Sequence, residues 1–284
     1  MAVRRVPLFP LSQVLFPNMV LSLHIFEPRY QQMINRCIDQ DLPFGVVLIR
    51  HGREVGGPAV PFEIGTMARI TDVERLPGGR INVVTVGVNR FRLEGVSYDE
   101  PYLAGDIEFL EEGEVDDRRA PALARRVTAL FSRYLELYAE LSTDDREEDQ
   151  DEEDGEGDGD SGTGETDVSL AEAVDEAGQA LAEALEQPVQ EDLSPVDDSA
   201  GPEPGLLSDR PALPKHPGAL AYAVAASAGW RQRDKQDLLE KTTAAERLRA
   251  EAGLLQRDIA SMLGLRRRRE EGGRPPFFGP CSAN

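Results

Sequence analysis

One stretch of 26 residues can take no part in a hydrophobic core. Residues 142–167, STDDREEDQDEEDGEGDGDSGTGETD, contain no aliphatic or aromatic side chain. From Glu140 to Asp167, fifteen acidic residues accompany one basic residue, so this stretch carries −14 of the chain's net charge of −21. Such a segment buries too little apolar surface to offset its ordering entropy, and its like charges repel. We therefore predict a disordered insert, with any core built from the residues on either side.

Residues 3–110 have the pattern of short β-strands. Apolar runs are bounded by turn residues at Val20–Leu23, Phe44–Ile49, Gly65–Leu76 and Arg80–Val86. Between the last two runs, Pro77, Gly78 and Gly79 supply the positive-φ positions that a tight hairpin needs. Several short strands at this spacing, with few helical signals between them, favour a small closed or nearly closed β-barrel.

A single helix is predicted within this strand region, over EPRYQQMINRCIDQD at residues 27–41. Glu27 and Pro28 suit the first turn, because a carboxylate favours the helix dipole and proline lacks only an N–H that has no partner there. One face carries apolar side chains at helical spacing: Tyr30, Met33, Ile34, Cys37 and Ile38. On that face, Cys37 is predicted to act as a small core hydrophobe.

Beyond residue 118 the apolar period becomes helical. One stripe steps by four and three residues through Leu123, Val127, Leu130, Tyr134, Leu137 and Leu141. A second stripe near the other end of the chain consists of Leu248, Ala252, Leu255, Ile259 and Met262. Either Thr242 or Thr243 is expected to cap the helix of this second stripe, and Glu246 stands in capping-box position three residues after Thr243. Each stripe predicts an amphipathic helix that must pack on another element.

The sequence offers little support for catalysis, metal binding or membrane insertion. Cys37 with His24 or His51 is a weak thiol–imidazole candidate, and we expect His24 to be a structural hydrogen-bonding residue. The three histidines and two cysteines have no metal-ligand spacing. No apolar run is long enough to span a bilayer, and prolines interrupt the N-terminal apolar region. We expect a cytoplasmic, non-enzymatic protein without a cofactor.

Three blocks of the sequence together resemble the N-terminal substrate-binding domain of the ATP-dependent Lon protease, and most closely its free-standing bacterial versions. They are PLFPLSQVLFPNMVLSLHIFEPRYQQMI, GTMARITDVERLPGGRINVVTVGVNRFRL and PGALAYAVAASAGWRQRDKQDLLEKTTAAERLRAEAGLL. The first block is the most specific, with its proline spacing, the Phe16-Pro17 pair and HIFEPRY. The resemblance covers roughly residues 3–141 and 216–263.

The resemblance implies an α+β fold in which a PUA-like β-barrel is followed by a C-terminal helical bundle. The barrel with its one inserted helix would occupy residues 1–115, and the bundle residues 116–141 and 216–264. Residues 142–215 would form the disordered acidic and proline-rich insert, with a candidate helix at 168–187. Residues 265–284 would form a disordered tail.

The resemblance also implies a function. In full-length Lon, this domain recognises exposed apolar segments of damaged or unfolded proteins and passes them to the ATPase. No phosphate-binding G-x-x-x-x-G-K-[ST] loop occurs here, since Lys241 and Thr242 follow LLE rather than a glycine-rich turn. We see no Ser–Lys protease segment either. The prediction is a non-catalytic polypeptide-binding module, acting as an adaptor or quality-control factor with an unidentified ATPase or protease partner.

The apolar run from Val6 to Tyr30 contains the candidate contact surface for apolar polypeptide segments. Its six residues are Phe16, Pro17, Met19, Phe26, Pro28 and Tyr30. Two interpretations remain open. These side chains either close the barrel and pack against the helix, or they face outward and bind a ligand. For Leu8, Leu21, Leu23 and Ile34 we expect a core position. The turn at Phe16, Pro17 and Met19 is the expected contact surface, because a proline turn cannot bury its neighbours fully and methionine suits adaptable apolar contacts.

The alternative is an RNA-associated PUA-like protein. Arg90 and Arg92 share one predicted strand face, and residues 266–269 form a run of four arginines. The net charge of −21 argues against phosphate binding, which needs local positive charge. Nucleic acid is therefore the less favoured partner. A polybasic tail paired with the acidic insert is a further reading of the arginine run.

Overall fold

The computed structural model describes residues 4–54, 59–111, 118–150 and 213–270. Its strands are β1 (Arg4–Leu11), β2 (Val20–Ile25), β3 (Phe44–Gly52), β4 (Ala59–Pro61), β5 (Ile64–Arg75), β6 (Ile81–Ser97) and β7 (Ala104–Phe109). Its helices are α1 (Pro28–Asp39), α2 (Ala120–Gln150), α3 (Pro217–Ser227), α4 (Gln232–Leu239) and α5 (Ala244–Glu270). The predicted α+β class is confirmed, with strands concentrated before residue 110 and helices after residue 118.

The strands form one barrel-like sheet. Strand β1 pairs antiparallel with β7 and parallel with β3. Because β7, β6, β5 and β3 follow one another by antiparallel pairing, the path of paired strands returns to β1. The 17-residue strand β6 also pairs with β2. The long β6 strand therefore holds three neighbours in register.

The predicted hairpin between β5 and β6 is confirmed. Gly78 and Gly79 have φ values of 80° and 79°, the left-handed conformation that glycine adopts without a steric penalty. The Leu76 N–H donates to the Arg80 carbonyl at 2.8 Å and closes the turn. Local turn chemistry thus sets the register of the four residue pairs nearest the turn, from Arg75–Ile81 to Asp72–Val84, beyond which the register shifts between Asp72 and Ile70.

Helix α1 packs its apolar face against the sheet. Met33, Ile34 and Cys37 are buried in a cluster that includes Phe9 and Phe44 from β1 and β3. The prediction that Cys37 lies in the core is confirmed. This cluster fixes the start of α1, where the candidate site lies, against the sheet.

Helices α2 to α5 form the predicted bundle, and they share a second core with one end of the sheet. Helix α2 packs along α5, and α3 contacts both. Val127 and Phe131 of α2 and Leu248 and Leu255 of α5 are fully buried. The buried face of α2 includes Phe131, which lies one position from the Leu130 of the predicted stripe. The bundle core includes Phe16, far away in sequence.

Both long helices extend beyond their predicted ends. Helix α2 continues to Gln150 and α5 to Glu270, whereas disorder was predicted from residues 142 and 265. The added turns are rich in glutamate and arginine, which have good helix propensity and need no core. The predicted capping box is confirmed, because Thr243 Oγ accepts from the Glu246 N–H and Glu246 accepts from the Thr243 N–H, both at 3.2 Å. The candidate helix at 168–187 lies outside the described residues.

Candidate functional site

The turn at Phe16 to Met19 is packed inside the molecule. Phe16 is 0% exposed, and Pro17 is buried with it. The Phe16 ring lies 6.0 Å from the Tyr222 ring of α3, within the bundle core. The predicted exposure of Phe16 and Pro17 is therefore wrong. The prediction failed because a helix from the far end of the chain covers the turn.

The turn from Phe16 to Met19 is also hydrogen-bonded to strand β6. The Asn18 N–H donates to the Gly87 carbonyl at 2.8 Å, and the Gly87 N–H donates to the Met19 carbonyl at 2.9 Å. A Cβ atom at position 87 would overlap the Phe16 carbonyl oxygen. Asn18 has a positive φ of 65°, which asparagine tolerates better than most residues. Asn18 and the glycine within a strand were the available sequence signals for this close approach.

The last three predicted contact residues lie around the start of α1. Phe26 is 51% exposed and Pro28 is exposed, whereas Tyr30 is 5% exposed. Met19 is partly buried and packs against both core clusters. The structure therefore brings Phe26, Pro28 and Tyr30 together by chain proximity and separates them from the buried turn.

Tyr30 lies in an open cleft of about 470 Å³. We call it the Tyr30 cleft, and its aromatic and apolar lining consists of Pro10, Tyr30, Tyr98, Pro101, Tyr102 and Leu103. The start of α1 forms one wall, and the loop between β6 and β7 forms the other. Tyr98 on that loop is 68% exposed. Sequence reasoning missed this loop, although SYDEPY combines two tyrosines and a proline between strands.

A stack of aromatic and charged groups fixes the position of Tyr30. Its ring stacks on Phe9 with centroids 4.2 Å apart, and the Arg29 guanidinium lies 4.5 Å from the ring centroid on Tyr30. Arg29 is held in turn by the Glu27 carboxylate at 3.0 Å. Burial raises the pKa of Tyr30, and the nearby Arg29 charge partly opposes that rise. Tyr30 is thus neutral at neutral pH and fixed in position, with only 5% of its surface exposed at the base of the cleft.

The cleft also carries charges of both signs. Glu27, Arg29 and Glu100 line it beside the aromatic residues. Arg29 donates to the Glu54 carbonyl at 3.4 Å as well as to Glu27, so it is committed to local contacts. Glu100 accepts from Arg36 at 3.3 Å. Arg29 pairs with Glu27, and Glu100 pairs with Arg36. The exposed aromatic and apolar groups of the lining are therefore Tyr98 and Pro101, whereas Pro10, Tyr30, Tyr102 and Leu103 are buried beneath them.

Arg90 does not lie on an accessible face. It is 3% exposed, and its Nη1 donates to the Leu239 and Lys241 carbonyls at 2.7 Å each. Arg92 is exposed and lies 3.8 Å from Glu108. The alternative reading, in which Arg90 and Arg92 share an accessible face for RNA, is therefore not supported, because the end of α4 covers Arg90 and a carboxylate accompanies Arg92.

Neither sequence candidate for nucleophilic chemistry is activated. Burial raises the pKa of the Cys37 thiol to about 11, so at neutral pH it is protonated and a poor nucleophile. His24 is exposed, and its Nδ1 lies 2.7 Å from Asn82 Oδ1. In the described ranges, no group of three or more histidine, cysteine, aspartate or glutamate side chains is arranged to hold a metal ion. None of the helices that the structure describes is long and apolar enough to cross a membrane.

The structure is that of an α+β protein with a sheet, a helical bundle and an open cleft lined by tyrosines at the start of α1. Residues 5–257 match the protein family described as the ATP-dependent protease La (LON) substrate-binding domain. Because this match covers most of the chain, the chain belongs to that family.

Curated relatives that match are Lon proteases. Lon protease 1 of Hydrogenovibrio crunogenus is 29% identical over 133 residues, which cover 46% of this chain and 16% of that protein. Lon protease of Escherichia coli K12 is 27% identical over 135 residues, which cover 46% of this chain and 17% of that protein. Lon protease 2 of Sorangium cellulosum is 29% identical over 142 residues, covering 49% and 18%. The chain therefore matches less than a fifth of the length of each relative.

Solved structures with similar folds are also Lon N-terminal domains. The Lon N-terminal domain protein from Xanthomonas campestris has a TM-score of 0.48 and 17% identity, covering 87% of this chain and 95% of that one. The N-terminal domain of the Mycobacterium avium complex Lon protease has a TM-score of 0.47 and 17% identity, and the match covers 89% of this chain and 98% of that one.

Proposed function

We propose that this chain is a non-catalytic module that binds exposed apolar segments of polypeptides, with the Tyr30 cleft and the adjacent Phe26 and Pro28 as its contact surface. The observation that carries the proposal is the Tyr30 cleft itself, in which tyrosines and prolines from α1, β1 and the β6–β7 loop converge. An apolar segment of another protein would place a side chain among these groups.

The lining chemistry favours a polypeptide ligand. Tyrosine and proline offer rigid apolar area, and they lose little conformational entropy on binding. Tyrosine also brings a hydroxyl that can reach the backbone of an extended ligand. The volume of about 470 Å³ lies within the range of small-ligand sites and can hold one or two side chains.

The family supports the same proposal. The matched family is described as a substrate-binding domain, and the matched relatives are Lon proteases. We extend substrate binding to this chain as a role in protein quality control, either as an adaptor or with a separate ATPase or protease. The high pKa of Cys37 is consistent with a non-catalytic role. We further place this role in the cytoplasm, where a free thiol is the usual state of cysteine.

The test uses an unfolded model polypeptide and a variant of the Tyr30 cleft. Tyr98→Ser removes an exposed ring without opening the core, and Phe26→Ser does the same beside α1. Leu265→Ser is the matched control, because Leu265 is a similarly exposed apolar residue on α5. Fluorescence anisotropy gives the dissociation constant, and thermal melting verifies the fold of each variant.

Weaker binding by the Tyr98→Ser/Phe26→Ser variant is the expected result. Losing each aromatic contact costs about 1–2 kcal/mol, so the dissociation constant of this double variant should rise by about thirtyfold or more. The Leu265→Ser control should bind within about twofold of the unmodified chain. Equal loss of affinity in both variants, with unchanged melting, would contradict the assignment of the cleft.

A further inference from the structure

A second cleft, of about 690 Å³, lies where the sheet meets the bundle. We call it the Arg50 cleft, and its principal lining groups are Leu48, Arg50, Arg53, Phe62 and Arg233. The first four come from the end of β3 and the segments that follow it, whereas Arg233 comes from the first turn of α4. Gln232 also lines the cleft, and its Oε1 accepts from the Val14 N–H at 2.9 Å, which connects α4 to the segment between β1 and β2.

The Arg50 cleft has an excess of uncommitted positive charge. Arg50 and Arg53 are exposed, and within the described ranges neither has an ion pair or a side-chain hydrogen bond. The Glu54 carboxylate that also lines the cleft accepts from both the N–H and the hydroxyl of Ser12, and its single negative charge is outnumbered by the guanidinium groups of Arg50, Arg53 and Arg233. Two guanidinium groups therefore remain free to bind a ligand in a chain whose net charge is −21.

Apolar surface lies directly beside these cations. The Arg233 guanidinium lies 4.8 Å from the ring centroid of Phe62, a geometry that fixes the side chain while leaving its N–H groups able to donate. Asp237 lies 3.5 Å from Arg233 at an exposed position, so it screens that charge only in part. Leu48 is 6% exposed and forms part of the floor. A ligand here meets both an apolar floor and guanidinium forks.

We propose that the Arg50 cleft binds acidic polypeptide segments in which one or two aspartate or glutamate residues stand next to an apolar side chain. Guanidinium forks pair with carboxylates through two parallel hydrogen bonds, and Phe62 receives the apolar neighbour. This inference concerns a different site from the Tyr30 cleft and is tested separately from it.

The charge of the whole molecule favours a carboxylate ligand over nucleic acid. Binding of a polyphosphate strand needs positive charge along an extended path. Here Arg50, Arg53 and Arg233 lie together in one cleft, and a polyanion that extends beyond it would meet the field of a chain with a net charge of −21. A short acidic segment places its charge only where the arginines are.

The test compares two fluorescent peptides and two double variants of the full chain. One peptide places glutamates beside a phenylalanine, and the other has glutamine at the same positions. Arg50→Gln/Arg53→Gln removes the free cations of the cleft. Arg4→Gln/Arg69→Gln is the matched control, because these exposed strand arginines also lack described partners and their loss changes the net charge equally.

We expect the unmodified chain to prefer the glutamate peptide. Its dissociation constant should rise about tenfold in Arg50→Gln/Arg53→Gln, the size expected for losing charge-assisted hydrogen bonds. The control double variant should change it by less than about twofold, and the glutamine peptide should respond to neither variant. Raising the salt concentration should weaken the binding of the glutamate peptide and leave the binding of the glutamine peptide unchanged.

Three outcomes would overturn the inference. An equal effect of both double variants would mean that only the overall field acts on the peptide. No preference between the two peptides would mean that the cleft does not recognise carboxylates. Tighter binding of a single-stranded RNA oligonucleotide, dependent on Arg50 and Arg53, would assign the cleft to phosphate instead. Binding of a neutral apolar peptide to the Tyr30 cleft would be unaffected by any of these results.

Discussion

Two buried guanidinium groups complete the end of helix α4. The last carbonyls of a helix have no partner within the helix. Here Arg90 donates to the Leu239 and Lys241 carbonyls, and Arg247 donates to the Leu238 and Lys241 carbonyls at 3.2 and 3.0 Å. The cations also lie at the negative end of the helix dipole. Arg90 thereby joins strand β6 to the bundle.

Replacing Arg90 should destabilise the fold far more than replacing its neighbour on the strand. Arg90→Met removes the guanidinium donor of the Leu239 carbonyl and one of the two guanidinium donors of the Lys241 carbonyl, so the free energy of unfolding should fall by about 3 kcal/mol. Arg92→Met loses only an exposed ion pair and should change it by less than about 0.5 kcal/mol. Urea unfolding of both variants measures the difference. Equal effects would mean that the contacts between Arg90 and α4 add no stability.

Glu251 is a buried titratable group, 0% exposed, whose carboxyl oxygens have no hydrogen-bond partner among the described residues. Burial raises its pKa well above the usual value for glutamate, and the charge of Arg247 partly opposes that rise. The folded state therefore binds a proton that the unfolded chain releases at lower pH, and stability falls as pH rises from the unfolded toward the folded pKa.

The variant Glu251→Gln should therefore be more stable than the unmodified chain at neutral pH, and the difference should shrink toward pH 4.5. Glutamine keeps the shape but has no charge to desolvate. Glu94→Gln is the control at an exposed position. Urea unfolding across this pH range tests the sign. Lower stability at neutral pH would show that Glu251 is ionised and held by Arg247.

At the scale of elements, the turn between β1 and β2 depends on close packing against β6. Gly87 allows this contact because it has no side chain to meet the Phe16 carbonyl. The turn then places Phe16 against Tyr222 of α3, at a ring distance of 6.0 Å. One glycine thus permits the contact between the sheet and the bundle.

Substituting this glycine should disturb the turn. Gly87→Ala should lower the free energy of unfolding by about 1–3 kcal/mol, the usual cost of adding atoms to a packed interior. Gly95→Ala on the same strand is the matched control, since a Cβ atom there meets nothing within 4 Å. Thermal and urea unfolding measure both variants. If Gly87→Ala is as well tolerated as Gly95→Ala, the turn can shift without cost.

At the scale of the whole molecule, the acidic stretch separates two halves of one bundle. Helix α2 precedes it and α3 to α5 follow it, yet α2 packs along α5. An ion pair of 3.2 Å between Arg266 and Glu140 also joins these two helices. The described contacts of the bundle therefore come from residues outside 151–212.

Replacing residues 151–212 with a flexible Gly/Ser linker of about 25 residues should leave cooperative melting intact. Such a linker has a root-mean-square span of about 28 Å and can extend further, and loop-closure entropy depends only weakly on length. The melting temperature should shift by a few degrees at most, as expected for a change of about 0.5 kcal/mol. Calorimetry measures it. A broad or two-step transition would show that the replaced segment supplies part of the core.

The sequence by itself determined the features that depend on neighbouring residues. The positive-φ glycines of the β5–β6 hairpin, the first turn of α1, the apolar face with Cys37 and the Thr243–Glu246 capping box all follow from local chemistry or from the period of the apolar residues. These effects act over a few positions, so they can be read along the chain.

The tertiary structure alone decided which of the remaining residues face solvent. From the sequence, Phe16 and Arg90 were candidates for an exposed surface. In the structure, α3 covers Phe16 and the end of α4 covers Arg90, and both helices are far away in sequence. Packing between distant elements also forms the Arg50 cleft, which is lined by residues of β3 and α4. Burial is a property of packing between elements, and no local pattern records which element will lie on top of another.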